Sequence, residues 1–369
     1  MRRITAVCLS ALLLFPIVGS AQNAPTRAAQ PAGSALSAAT REKLIASMNK
    51  GAAYLVSQQK PDGTWENNAG ISAMAAGALL RQPGKARDEA MRSTGKTLDY
   101  LRGLAKPDGG IYDKAVPHYV TAVSVMALVA GGRSADKPAI EKGRQYIAEH
   151  LLDEGEGLKP SDKFYGANGY GAANGEVTGD IISLEFALRA MKEAGTGAND
   201  PAWNKAIQFL QRTQNNSETN DQSWAANDGG FIYLPGNSEI KGTTRSYGSG
   251  TYAGIMSYAW ANVKKSDDRV QSALKWIRQN YTLDENPGLG QKTLYYYYMV
   301  FAKALQAVDE GAIVDARGQR HNWREDLANK LIALQNAEGY WVNTDPAEMQ
   351  NNKVLVTAFT LMAIEATLQ

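Results

Sequence analysis

A pair of acids, one histidine and a set of tyrosines are the residues whose types and spacing could carry chemistry in this sequence. Glu176 and Asp180 lie four residues apart at the start of an apolar helix, so both carboxyls share one face. A helix N-terminus favours their anionic forms, and capping alone would account for them. In an apolar surrounding one of them would instead be raised in pKa and could serve as an acid. His118 follows Pro117 at another apolar helix start, where a neutral imidazole could transfer a proton or a structural role could suffice. Tyr119 adjoins it. Tyr295 to Tyr298 form an unbroken run, of which at most two can face one side of a helix. Core packing is the ordinary role for each. With Tyr247 and Tyr252, Tyr296 could still wall an aromatic cavity, and Arg245 stands just before that segment. The catalytic candidates are therefore His118, Glu176, Asp180 and Tyr252. Tyr119, Arg245, Tyr247 and Tyr296 are the candidates for ligand binding.

These residues recur at the starts of apolar helices because the chain is built from repeats. Gln59-Lys-Pro-Asp-Gly63-Thr-Trp65 matches Gln335-Asn-Ala-Glu-Gly339-Tyr-Trp341 as Q-x-x-x-G-x-W. Shorter copies are Asp108-Gly109-Gly110-Ile111 and Asp228-Gly229-Gly230-Phe231, and weaker ones lie at Gly166–Tyr170 and Asn286–Gly290. Successive copies are about 45 to 60 residues apart. Before each copy runs a one-sided amphipathic helix: 41–58, 91–104, 140–151, 201–212, 268–281 and 323–335. After each comes a helix apolar nearly all round: 71–80, 120–130, 181–191, 252–260, 294–308 and 354–368. A helix without a polar face is buried on all sides. Strict alternation of the two kinds implies an outer and an inner ring, with no sheet domain. The inner starts, with the long segments 153–179 and 214–250, are expected on one rim around a central concavity. Trp65 and Trp341 are expected at the seam between the first and sixth repeats.

Q-x-x-x-G-x-W at the ends of outer helices resembles the QW repeats of the squalene cyclase and protein prenyltransferase superfamily, over about residues 41–369. The resemblance implies an all-α (α/α)6 toroid of six helical hairpins, with inner-helix N-termini opening onto a central cavity. The chemistry of those families has no counterpart here. The cyclase D-x-D-D motif is represented only by Glu176-Val-Thr-Gly-Asp180. The prenyltransferase zinc set needs a cysteine, and the complement-type thioester Cys-Gly-Glu-Gln is missing. No zinc-protease H-E-x-x-H, G-x-S-x-G or P-loop occurs. The functional expectation is thus a toroid that binds a small molecule, lipid or glycan in its cavity, without a cofactor or metal. The alternative is a cavity enzyme, either a polysaccharide lyase or hydrolase or a terpenoid-cyclase-like enzyme using Glu176 or Asp180.

The N-terminus predicts export. Arg2 and Arg3 precede the apolar run Ala6–Val18, and Gly19-Ser20-Ala21 offers small residues for cleavage. Residues 1–21 then read as a signal peptide, 22–39 as a flexible leader and 40–369 as the toroid, in the periplasm or secreted. Cys8 is the single cysteine, so the mature chain would hold no disulfide and no thiolate ligand. A net charge of +2 gives no nucleic-acid signature, and no membrane span is expected after cleavage.

Overall fold

The computed structural model describes residues 35–83, 85–171 and 177–369. The expected signal peptide, residues 22–34 of the expected leader and Glu176 lie outside the described residues. Twelve helices of two or more turns follow in order among the described residues: α1 Ala38–Gln58, α2 Ala69–Leu80, α3 Lys85–Gly103, α4 Pro117–Gly131, α5 Lys137–Glu149 and α6 Ile181–Glu193. Then come α7 Pro201–Thr213, α8 Gly248–Trp260, α9 Asp268–Gln279, α10 Leu294–Ala307, α11 Trp323–Leu334 and α12 Lys353–Leu368. None of them is long and apolar enough to cross a membrane.

Even-numbered helices form the inner ring. Every residue of α2 is buried, and α10 is buried from Leu294 to Leu305. Each packs on the next, α2 to α4, α6, α8, α10 and α12, and α12 packs back on α2. Odd-numbered helices bury one stripe, as Leu44, Met48 and Leu55 do in α1. α1 rests on α12 and α11, which closes the circle. The fold is therefore the all-α toroid of six hairpins. α4 and α8 begin earlier than the apolar pattern suggests, because their first turns hold Pro117 and Gly248-Ser-Gly rather than large apolar residues. The one departure from helix among the described residues is the two-stranded hairpin β1 Ile313–Val314 with β2 Arg320–His321.

The repeat motif works between neighbours. Gln335 Nε2 donates to the Gly339 carbonyl of its own turn (2.8 Å) and to the Ser47 carbonyl of α1 (2.8 Å). Gln59 does the same with Gly63 (3.1 Å) and the Thr97 hydroxyl of α3 (2.9 Å). Gly339 has φ +98°, and a Cβ there would lie 2.6 Å from the Lys50 carbonyl oxygen, so only glycine lets the turn press on α1. Gln214 plays this part in the fourth repeat. It reaches the Gly229 carbonyl (2.9 Å) and the Arg269 carbonyl of α9 (2.8 Å) across a fifteen-residue separation. The residue two after the glycine then gives its N–H to a hydroxyl on the inner helix. Trp65 donates to Ser72 Oγ (2.9 Å), Phe231 to Thr251 Oγ1 (3.1 Å) and Trp341 to Thr357 Oγ1 (3.1 Å).

Trp341 is fully buried at the seam, its indole donating to the Leu331 carbonyl (2.8 Å) and its ring against Gly51 of α1. Trp65 is equally buried, but its indole donates to the Leu55 carbonyl and its motif glycine sits on α3. It therefore belongs to the junction of repeats one and two, because each motif faces forward to the next outer helix. Trp341→Ala is expected to cost about 3–5 kcal/mol in urea unfolding. Gln214→Ala should destabilise in the same direction as Gln335→Ala. An unchanged midpoint for Gln214→Ala would remove it from the motif.

Candidate functional site

At the N-terminal end of α6, Asp180 is a saturated cap. Its Oδ1 accepts from the Ile182 (2.9 Å) and Ser183 (2.8 Å) N–H groups, and its Oδ2 accepts from Ser183 Oγ (2.8 Å). The nearby Tyr233 hydroxyl also favours the charged form of this carboxyl. Burial raises Asp180 to about 6 against the pull of those bonds. The Tyr170 hydroxyl lies near Ser183 and Tyr233, and the two long segments, 153–179 and 214–250, meet over this helix start. The Tyr233 carbonyl accepts from Ile181 N–H (3.0 Å) and the Asn168 carbonyl from Asp180 N–H (3.2 Å).

Below this cap an aromatic belt spans the lumen. Tyr119 of α4 meets Tyr170 (6.4 Å between centroids) and sits edge-on to Phe186 of α6 (5.0 Å, 83°). Phe186 meets Tyr296 of α10 (6.2 Å), and Tyr296 meets Phe359 of α12 (5.9 Å). α6 and α10 are not neighbours in the ring, since α8 stands between them. The Phe186–Tyr296 contact therefore bridges two inner helices that are not adjacent in the ring.

Glu185 is set into this belt. It is fully buried, and neither carboxyl oxygen has a hydrogen-bond partner among the described residues. Burial pushes it up to about 7, opposed by the charges of Arg189 and Lys303. Tyr119 and Tyr296 both feel its charge. The Tyr296 and Tyr247 hydroxyls and Arg189 Nη1 are also buried without partners among the described residues. Each such group costs about 1–3 kcal/mol unless something bonds it.

Further toward the C-terminal ends lies a layer of ions. Arg189 Nε bonds Glu193 (2.9 Å), Arg81 of α2 bonds the same carboxylate, and Lys303 of α10 bonds Glu365 of α12 (2.8 Å). Burial would raise Glu193, but Arg81 and Arg189 outweigh it and hold it at about 2. Among the described residues no group of three or more His, Cys, Asp or Glu is placed to hold a metal ion.

Of the residues singled out by type and spacing, Tyr119, Asp180, Tyr247 and Tyr296 gather at the N-terminal half of the lumen. His118 turns the other way. Its ring lies against His150 (4.7 Å) and Tyr146 (5.8 Å) of the α5 region, and Nδ1 donates to the Gly169 carbonyl (3.1 Å). His118 and Tyr119 are consecutive, about 100° apart on the helix, so only one can face inward. Burial, with His150 adding to it, lowers His118 to about 4. Tyr252 likewise packs outward between Tyr297 (5.6 Å) and Phe301 (4.9 Å). Tyr297 and Tyr298 donate to the Thr282 and Leu283 carbonyls (2.7 Å each), which leaves Tyr296 as the member of the run facing Phe186 and Phe359. Arg245 is exposed on the fourth loop. His321 is stacked on Tyr281 (4.2 Å) and bonded to Asp315 (3.2 Å). Glu185, Phe186, Tyr170 and Tyr233 were not among the candidates. The available signal was a charge, Glu185, inside an otherwise apolar helix, with Arg189 one turn on.

No family model matches the chain, and no curated protein matches it in sequence. Solved structures do resemble it. The type II terpene cyclase MstE from Scytonema is 12% identical, covering 88% of this chain and 98% of its own, with a TM-score of 0.54. A polysaccharide lyase is 11% identical, covering 89% and 97%, with a TM-score of 0.58. A glycosidase is 12% identical, covering 90% and 99%, with a TM-score of 0.54. At these identities the likeness defines the class of fold, a helical toroid of the kind found in terpene cyclases, lyases and glycosidases.

The folded-state pKa of Glu185, about 7, lies above its ordinary 4.5. Folding therefore favours its protonated form. The resulting destabilisation is absent below about pH 4.5, grows as pH rises and is complete above about pH 7, reaching about 3 kcal/mol. The stability difference between Glu185→Gln and wild type, measured by urea unfolding, should shift in favour of the variant between pH 5 and pH 8. A difference independent of pH would contradict the placement of Glu185.

Proposed function

We propose that the toroid binds a small uncharged, lipid-like ligand bearing a hydroxyl or carbonyl group, in the N-terminal half of its lumen. The observation that carries this reading is the set of unpartnered buried groups there: both Glu185 oxygens and the hydroxyls of Tyr296 and Tyr247. A ligand oxygen placed among them would recover the cost of leaving them unbonded. Tyr119, Phe186, Tyr296 and Phe359 supply aromatic walls for an apolar body. The cyclase with this fold is described in complex with geranylgeranyl dihydroxybenzoate, an isoprenoid chain on a hydroxylated ring, which supports a lipid-like occupant here. Export, as the signal-peptide pattern of residues 1–21 predicts, would place that binding in the periplasm or outside the cell.

A second reading is catalysis in the same place. It is favoured by one observation: a carboxyl pushed up to about 7 exchanges its proton near neutral pH, as a general acid or base must. Asp180 suits that part less well, since backbone and side-chain donors occupy both of its oxygens.

Native mass spectrometry of the protein with geranylgeraniol should give a one-to-one complex. Glu185→Leu should weaken it about tenfold, the loss of one buried hydrogen bond. Capture of a neutral oligosaccharide in place of the lipid would overturn the lipid-like assignment. A geranylgeraniol complex indifferent to Glu185→Leu would overturn the lumen site. Conversion of the bound compound, abolished by Glu185→Gln, would establish the catalytic reading.

A further inference from the structure

At the opposite end of the ring, where the inner helices finish, lies a cavity of about 340 Å³ that the lumen site does not use. Its wall carries Arg81, Arg189, Lys192 and Lys303 against two acids, Glu193 and Glu365. All four carboxylate oxygens are already engaged. Glu193 is held by Arg81 and Arg189, while Glu365 Oε2 takes Lys303 and its Oε1 takes the Gln369 amide. The unused hydrogen-bonding capacity named for this wall is on the donor side. Arg189, 2% exposed, keeps Nη1 without a partner among the described residues, and Trp260 keeps its indole N–H. Lys192 uses its ammonium on a single neutral partner, Asn262 Oδ1 (2.6 Å).

The six inner helices end here, each with about half a negative charge. That field accounts for a cation-rich end, and Arg81 visibly serves it by bonding the Gly77 (2.9 Å) and Met126 (3.0 Å) carbonyls. It also suits Lys192, in the last turn of α6, but it does not engage the two open N–H groups. What completes such a wall is a group made of acceptors. We infer that this cavity is a second binding site, for an oxyanion such as phosphate or the phosphate of a small phosphomonoester. Arg189, Lys192 and Trp260 are its donors. Its volume lies in the range of small-molecule sites, so an ester's alcohol portion fits beside the phosphate.

Calorimetry and thermal unfolding with inorganic phosphate, and separately with glycerol 3-phosphate, test this against potassium chloride at equal ionic strength. Either phosphate should raise the melting temperature by roughly 2–4 °C at saturating concentration, and chloride should not. Lys192→Glu is expected to weaken binding at least about tenfold, measured at a temperature where circular dichroism shows the variant folded. Trp260→Phe should weaken it less. Tighter binding of the ester would support the site and assign the remaining volume to its alcohol. No heat and no shift beyond chloride would overturn the inference, as would equal affinity in Lys192→Glu and wild type. Because Glu185 and the belt are untouched by these variants, the outcome is independent of the lumen ligand.

Discussion

Each hairpin of this protein is finished by its neighbour. In five of the six repeats the turn after an outer helix presses on the backbone of the next outer helix, at a distance only glycine allows, and in three of them a glutamine amide bonds both at once. The last turn does this to α1, which turns a row of repeats into a ring. The same seam is drawn shut at its far end by Glu325, which accepts from the Ser37 N–H (2.9 Å) and bonds the Thr40 hydroxyl, and by Arg41, which donates to the Leu368 carbonyl (3.0 Å). A row of repeats would leave two faces exposed, whereas a ring buries all its inner helices.

Closure also decides what the lumen can be. Six buried helices brought together leave a narrow interior, and side chains of helices that are not neighbours in the ring meet across it, as Phe186 does with Tyr296 and Arg81 with Glu193. The interior is layered by where each charge can be met. The long loops cap the N-terminal end with hydroxyls around Asp180. The aromatic belt follows. The cations gather at the C-terminal ends, where the helix dipoles favour them. Glu185 belongs to neither polar layer. It sits one turn short of the ions and among rings, and its burial without a partner follows from that position.

The sequence pattern made the ring legible because the two kinds of helix differ in a way that burial alone produces: one stripe against all-round apolarity. The motifs at Gln59 and Gln335 marked its period. Gln214 escaped because an insertion separates it from Gly229, so contiguity in sequence was lost while the contact was kept. The site was less legible. Starts of inner helices led to Tyr119, Asp180 and Tyr247, which gather at one end of the lumen, but helical phase turned His118 and Tyr252 outward, and phase is hard to read from a position near a helix end. Reading α6 as uniformly apolar passed over Glu185 and Arg189. A single charge hardly alters the average of a buried helix, yet it is the costliest residue in it.

The account stands on a carboxylic acid held neutral among aromatic rings inside a closed ring of helices. Difference infrared spectroscopy between wild type and Glu185→Gln reads that state directly, through the carbonyl stretch of a protonated carboxyl. The account predicts such a band in wild type at pH 6, missing in the variant and titrating away near pH 7. A wild-type spectrum at pH 6 in which Glu185 contributes only carboxylate bands would contradict it.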